Sequence, residues 1–414
     1  MRLQSPRGTQ DVLPADAFKW HHVESTFREI VGRYGYLDIR TPTFEDTELF
    51  TRSAGETSDI VTKEMYEFRD KGDRSITLKP EGTAGIIRAV IQYSLCPPGV
   101  IGRFSYVTPI FRYERPQKGR LREAHQVGLE LVGSASPRAD AEVIEITYRF
   151  YEALGLTGVR VELNSIGRGD CRARFREALL AKTSSLLVEM GDDFRDRVEK
   201  NPLRLLDSKD PSVREAIDGL PPITDFLEAD SCSKFEELQS LLTESQIPFV
   251  LKPGIVRGLD YYTDTVFEVI SSNLGAQDAL CGGGRYDGLV KELGGKDTPS
   301  VGVAMGIERA IIVLDEQGLF PSVPGVDVFL LGIAGAVHTV AAPLRNAGIS
   351  VLTDPDSRSM KSQLGQADRA GARFAVIAGE EEWARNAVQV RDLGSSTQTE
   401  VAIDRLVAYL KAVL

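Results

Sequence analysis

Apolar residues recur at helical spacing near the start of the chain. Phe18, Val23, Phe27, Ile30, Val31 and Tyr34 follow the helix-start signals Pro14 and Asp16, which predicts an amphipathic helix over Ala17–Tyr34. Gly35–Arg40 reads as a strand that Thr41-Pro42 stops. Further strand-like runs are Ser75–Leu78, Gly99–Val107, Phe111–Glu114, Gln126–Leu131 and Arg160–Ser165, with a second amphipathic helix at Ala139–Leu154. From about Asp170 to Pro248 the pattern turns to charged, helix-forming sequence broken by NPLRLLDSKDP and GLPP, which predicts an inserted helical module. Strand character returns at Phe249–Leu251 and Tyr261–Ile270, and Gly302–Leu314 reads as a closing helix.

The run LFPSVPG, Leu319–Gly325, has the Pro and Gly content of a linker. Beyond it, strands at Val328–Ile333, Ser350–Leu352, Phe374–Ala378 and Val388–Asp392 alternate with helices near Ala341–Ala347, Ser359–Ala370 and Thr399–Leu414. Such alternation predicts a small, largely parallel α/β domain. The expected layout is a body over residues 1–320, with the insertion at about 170–248, and a second domain over 326–414.

Composition narrows the function classes. The 414 residues carry a formal net charge of −11, which argues against broad non-specific nucleic-acid binding and requires that any such partner be gripped by local basic patches. From Val326 onward there are nine Lys/Arg and ten Asp/Glu, so the tail is near neutral and the body carries −10. Cys96, Cys171, Cys232 and Cys281 form no CxxC pair, which fits reduced thiols in a cytoplasmic protein. The N-terminus has no apolar core of a signal peptide, and no apolar run approaches membrane-spanning length. His21, His22, His125 and His338 suggest no metal cluster and are given no catalytic role.

Against this acidic background, Phe111–Glu130 stands out. It holds Arg112, Arg115, Lys118, Arg120 and Arg122, with Gln126 and Glu130 on the return side. Fixed guanidinium forks suit planar oxyanions; the bland alternative is a solvated hairpin tip. The common phosphate-loop and dinucleotide fingerprints are absent. The glycines of Cys281–Gly288 imply either a tight turn or close approach of backbone to a ligand.

The order of elements is more specific. A long helix and a strand ending at Pro42, then the arginine hairpin, then a glycine-rich segment carrying Arg309 in GVAMGIERA resemble motifs 1, 2 and 3 of the class II aminoacyl-tRNA synthetases. Thr77–Thr83, Phe111–Gln117, Val256–Tyr262 (VRGLDYY) and Gly283–Gly288 narrow the resemblance to the bacterial histidyl-tRNA synthetases, and it spans essentially the whole chain. The resemblance implies a catalytic domain built on an antiparallel sheet, a helical insertion and a C-terminal anticodon-binding α/β domain. It implies ATP as substrate with Mg²⁺ accompanying it, L-histidine and tRNA(His) as the other substrates, and a homodimer.

Matched residue by residue, the resemblance places Arg112 and Arg257 at the α-phosphate and Arg309 at the γ-phosphate. It places Glu81, Thr83 and Gln126 at the histidine ammonium, and Glu130 and Tyr262, with Tyr261 beside them, at the imidazole. Arg115 and Gln117 fall at the tRNA acceptor end, where an arginine suits a guanine edge. Two bland alternatives stand beside these roles: an ion pair of Arg257 with Asp260 or Asp287, and one tyrosine of Tyr261 and Tyr262 turned away by strand alternation. Lys79 and Ala124 depart from the family pattern, which usually has Arg and an aromatic there. The rival function is a non-catalytic histidine-binding regulatory subunit of ATP phosphoribosyltransferase; such proteins typically lack the tail domain and degrade the arginines, whereas this chain keeps both.

Overall fold

The computed structural model describes residues 3–55, 58, 60–189, 195, 198, 202–206, 208, 210–271, 279–322, 325–332, 334–356 and 358–414. Ile333 of one expected strand, Val323 and Pro324 of the expected linker, and Asn201, Asp207 and Lys209 of the expected break in the insertion lie outside these residues. The chain divides into two compact units, Met1–Phe320 and Pro321–Leu414.

The first unit opens with the helix Pro14–Arg33, which has Pro14 in its first turn and buries Val23, Phe27, Ile30 and Val31 along one stripe. The strands that follow are β1 (Leu37–Asp38), β2 (Phe44–Asp46), β3 (Tyr66–Arg69), β4 (Ser75–Leu78), β5 (Gly102–Phe111), β6 (Glu123–Val132), β7 (Val159–Ser165), β8 (Phe249–Leu251), β9 (Thr263–Ser271), β10 (Ala279–Arg285) and β11 (Ser300–Gly306). Eight of them form one sheet in the order β1-β5-β6-β11-β10-β9-β7-β8. The neighbours from β5 through β7 are all antiparallel, while β1 and β8 pair in parallel at the two edges. A smaller sheet, β2-β4-β3, stands apart. The helix Pro137–Ala153 starts at Ser136, whose hydroxyl accepts from the Arg138 N–H at 3.3 Å, and it buries Val143, Ile144, Ile146 and Phe150 in the main core with β6, β7 and β9.

Three local readings change. The arginine hairpin is built by the longer strands β5 and β6, so Arg112–Arg122 is loop and Arg112 sits one residue past its strand. Pro109 lies within β5 where only β6 is hydrogen-bonded to that strand, so its missing N–H costs no ladder bond. The expected helix from Gly302 is a strand as far as Gly306, and the helix begins at Ile307 and ends at Gln317. The glycine run Gly282–Gly284 is neither turn nor loop but the middle of β10, paired on both sides. The insertion holds the helices Asp170–Glu189, Pro211–Ile217 and Ala229–Glu244.

The second unit carries β12 (Val328–Gly332), β13 (Val351–Thr353), β14 (Phe374–Ala378), β15 (Ala387–Asp392) and β16 (Gln398–Ala402) in the order β13-β12-β14-β15-β16. β12 is parallel to β13 and β14, but the β14–β15 and β15–β16 pairs are antiparallel, so the sheet is mixed rather than largely parallel. The expected helix from Thr399 begins only at Leu406, because Thr399 and Val401 complete a hairpin with Val390 and Val388. β-Branched residues favour that extended partner over a helical turn.

Candidate active site

The central strands β5, β6, β9, β10 and β11 form the floor of a cleft of about 270 Å³. It gathers Glu81, Thr83, Arg112, Gln126, Arg257, Tyr261, Tyr262 and Arg309, which come from five separate stretches of sequence.

One end is acidic and hydroxyl-rich. Pro80-Glu81-Gly82 leads into the helix Thr83–Gln92, and the buried Glu81 carboxylate accepts the N–H groups of Thr83 at 2.6 Å and Ala84 at 2.8 Å. It thereby satisfies orphan donors of the first helical turn. Burial pushes its carboxyl above the usual carboxylate range, against the pull of these two N–H groups. The Thr83 hydroxyl donates to Glu130 at 2.8 Å. Glu130, on β6, is 0% exposed and also receives the hydroxyls of Tyr106 (3.1 Å) and Tyr286. Burial pushes it up to about 8, with the Glu81 charge adding to that and the three hydroxyls opposing it.

Glu130 does not line the cleft; it stands behind Thr83. A Cβ on Gly302 of β11 would overlap its carboxylate, so the glycine-lined strand makes room for it. Gln126 is on the same strand, and its Oε1 is buried without a hydrogen-bond partner. Tyr261 and Tyr262 both precede β9 and both line the cleft, their ring centroids 4.7 Å apart. Strand alternation therefore does not apply to them, and neither tyrosine turns away.

The other end is cationic. The Arg112 Nε donates to the Pro80 carbonyl at 2.7 Å. Arg309, in the first turn of Ile307–Gln317, donates to the carbonyls of Ala279 and, at 3.4 Å, Gly119. Arg257 pairs with Glu268 of β9 and lies 5.8 Å from the Tyr262 ring centroid, while its Nε is buried without a hydrogen-bond partner. A Cβ on Gly282 would collide with its guanidinium, which is the close approach that the glycine run permits. Arg285, not Arg257, holds Asp287, at 3.0 Å, and also binds the buried Asp140.

Arg115 and Gln117 are exposed in the 112–122 loop, and neither lines the cleft. Gln117 and Arg120 close a tight turn through backbone bonds of 3.0 and 2.9 Å, and Lys118 pairs with Glu316. Of the hairpin's remaining cations, Arg120 does line the cleft, 3.3 Å from Glu114.

Sequence reasoning missed several residues in or behind the cleft. Tyr106 and Tyr286 brace Glu130, Glu268 balances Arg257, and Glu308 accepts the backbone N–H of His125 at 3.0 Å while meeting its Nδ1 at 3.0 Å. Burial lowers the His125 pKa, but Glu308 with Glu123 and Glu24 outweighs it and the net shift is upward. Tyr286 lies inside the Gly283–Gly288 segment and Glu308 inside GVAMGIERA, both already singled out, so a signal existed for these two; for Tyr106 and Glu268 none did. Among the described residues no group of three or more His, Cys, Asp or Glu could hold a metal ion.

Comparison with known proteins places the chain in a family. A family model described as histidyl-tRNA synthetase matches residues 8–310, and one described as anticodon binding domain matches residues 326–413. A histidine–tRNA ligase of Thermoanaerobacter pseudethanolicus is 45% identical over 416 aligned positions, covering 99% of this chain and 100% of that protein. The Synechococcus elongatus histidine–tRNA ligase is 47% identical over 401 positions, covering 96% and 92%. The crystal structure of apo S. aureus histidyl-tRNA synthetase superposes with a TM-score of 0.84 at 35% identity, covering 99% of this chain and all of the other. The chain belongs to the histidyl-tRNA synthetase family.

Proposed function

We propose that the chain is a histidine–tRNA ligase, which joins L-histidine to ATP to give histidyl-adenylate and pyrophosphate and then transfers the histidyl group to the 3′ end of tRNA(His). The observation that carries this reading is the set of groups that one cleft gathers. Glu81, Gln126 and two tyrosines line it together with three arginines, and Gln126 Oε1 and Arg257 Nε are buried with no hydrogen-bond partner. Buried polar atoms without partners are costly, and a substrate that supplies a donor and an acceptor relieves both.

In the first step a histidine carboxylate oxygen attacks the α-phosphorus and the bond to pyrophosphate breaks. Negative charge gathers on the phosphoryl oxygens, where Arg112 and Arg257 stabilise it from two sides while Arg309 holds the γ-phosphate. Guanidinium suits this work, being permanently charged and forked. Mg²⁺ enters on the ATP phosphates. In the second step a ribose hydroxyl at the tRNA end attacks the histidyl carbonyl carbon, and AMP leaves.

The histidine ammonium is held by Glu81, Thr83 and Gln126; its positive charge supplies what burial denies to Glu81. Tyr261 and Tyr262 wall the imidazole. Glu130, behind Thr83, supports the imidazole end from beneath through the three hydroxyls it receives. Arg115 and Gln117, outside the cleft, meet the tRNA acceptor end. The regulatory-subunit reading is less supported, since all three arginines face the cleft and the family match extends through the tail unit.

Among the described residues no helix is long and apolar enough to cross a membrane, and the four cysteines are unpaired. We place the protein in the cytoplasm as a homodimer; a monomeric mass by light scattering at micromolar concentration would count against the dimer. The deciding experiment is histidine-dependent ATP–pyrophosphate exchange on the purified protein. Absence of exchange with histidine binding intact overturns the ligase reading.

A further inference from the structure

The helical insertion meets the histidine end of the cleft at one short turn, Tyr261–Asp264. The two tyrosines line the cleft, β9 begins at Thr263, and Asp264 has φ +47°, in the left-handed region that a non-glycine residue enters only when its surroundings hold it there. What holds it lies at the entrance to the insertion and within it. The Asp264 N–H donates to the Gly167 carbonyl at 3.0 Å, and the Asp264 carbonyl accepts from Ile166 at 2.8 Å. Its carboxylate accepts the Ser231 hydroxyl at 2.8 Å and pairs with Arg168 at 2.9 Å. Ser231 lies on the insertion helix Ala229–Glu244, and Arg168 stands two residues before the helix Asp170–Glu189.

The first turn of that second helix supplies the contact nearest the cleft. Arg172 Nη1 donates to the Tyr262 carbonyl at 3.0 Å. A charge-assisted bond to a main-chain carbonyl fixes a peptide plane, and this plane joins Tyr262 to the start of β9. The Asp264 clasp sets the turn from one side and Arg172 from the other. Neither Arg172 nor Asp264 lines the cleft. Their effect reaches it through the backbone that aims the two tyrosine rings.

We infer that Arg172 is a positioning residue for amino-acid recognition, and that the helical insertion, through Arg172 and the Asp264 clasp, sets the placement of Tyr261 and Tyr262. This rests on the proposed histidine site, and it gives the insertion a share in selecting the amino acid. Displacing a ring by a fraction of an ångström weakens a polar pocket steeply while leaving the arginine end untouched.

The test is Arg172→Ala in the full chain, with Arg172→Lys beside it. In pyrophosphate exchange the KM for histidine should rise roughly tenfold or more, as expected for loss of one charge-assisted hydrogen bond, with the KM for ATP changing less than about threefold. Arg172→Lys, keeping one cationic donor, should recover part of the histidine KM. Calorimetric titration of histidine without ATP should show the same weakening. An unchanged histidine affinity overturns the inference, and so does a parallel rise of both KM values with a lowered thermal midpoint, which is the mark of general loosening. A wild-type protein that binds histidine but shows no exchange would reject the ligase reading alone, since the calorimetric arm still reads Arg172.

Discussion

The two ends of the cleft are held in place by different means. At the histidine end Glu130 is buried beneath three hydroxyl donors, and Glu81 caps a helix start, so most polar atoms already have partners. At the arginine end Arg112 and Arg309 are anchored by backbone carbonyls, Arg257 pairs with Glu268, and Arg112 lies 3.8 Å from Glu114. A carbonyl fixes the direction of a guanidinium without cancelling its charge. In the proposed reaction the field at that end serves the phosphates, whereas the other end discriminates by shape and by the count of hydrogen bonds. Rate should depend on the first and choice of amino acid on the second.

Breaking the arginine end should cost most. Arg257→Ala should lower pyrophosphate exchange by roughly 10²- to 10³-fold, the scale for losing one preorganised donor at a developing charge, while circular dichroism and tRNA binding persist. Normal exchange in that variant would detach Arg257 from the chemistry. Glu130→Gln should fall mainly on kcat/KM for histidine, by about 10²-fold, because buried tyrosine hydroxyls then face an amide that cannot accept from all of them. If ATP KM moved as much as histidine KM, the division of the cleft would be wrong.

Between the ends and the loop tip the contrast is sharper still. Arg115→Ala should raise the KM for tRNA by roughly tenfold and leave pyrophosphate exchange alone, as expected for an exposed cation that touches only nucleic acid. A loss of exchange would move Arg115 into the cleft chemistry.

The smallest effect concerns pH. The Glu130 pKa, raised by burial from 4.5 to about 8, means that the folded protein holds a proton the unfolded chain releases. That contribution to stability is complete below the unfolded value and is lost as pH rises through the folded one. The thermal midpoint of the ligand-free protein should fall between about pH 5 and about pH 8 more than that of Glu130→Gln, measured by scanning calorimetry. Parallel curves for the two proteins would show that the carboxyl is ionised throughout.

Much of the fold was legible because local rules govern it. Pro14 and the spacing of Val23, Phe27 and Ile30 specify a helix wherever they occur, and the charged run from Asp170 specifies helices that are solvated on one face. The misread stretches are those where a partner strand overrides the local pattern. Ser300–Gly306 runs smoothly into helical spacing, yet it is extended because β6 and β10 pair with it on both sides. Thr399–Ala402 is likewise drawn into a hairpin by β15.

For the cleft, the sequence alone determined which groups were available. It held Arg112, Arg257 and Arg309, an acidic and amide-bearing set at Glu81, Gln126 and Glu130, and the paired tyrosines, in an order matching one family. The tertiary structure decided how each is used: that Glu130 sits behind Thr83, that Glu268 balances Arg257, that Gly282 and Gly302 clear space for those two side chains, and that Arg172 reaches the Tyr262 carbonyl. These contacts depend on sheet register and on the separation between strands tens of residues apart. Period and composition describe one segment at a time, so neither encodes the distance between two segments.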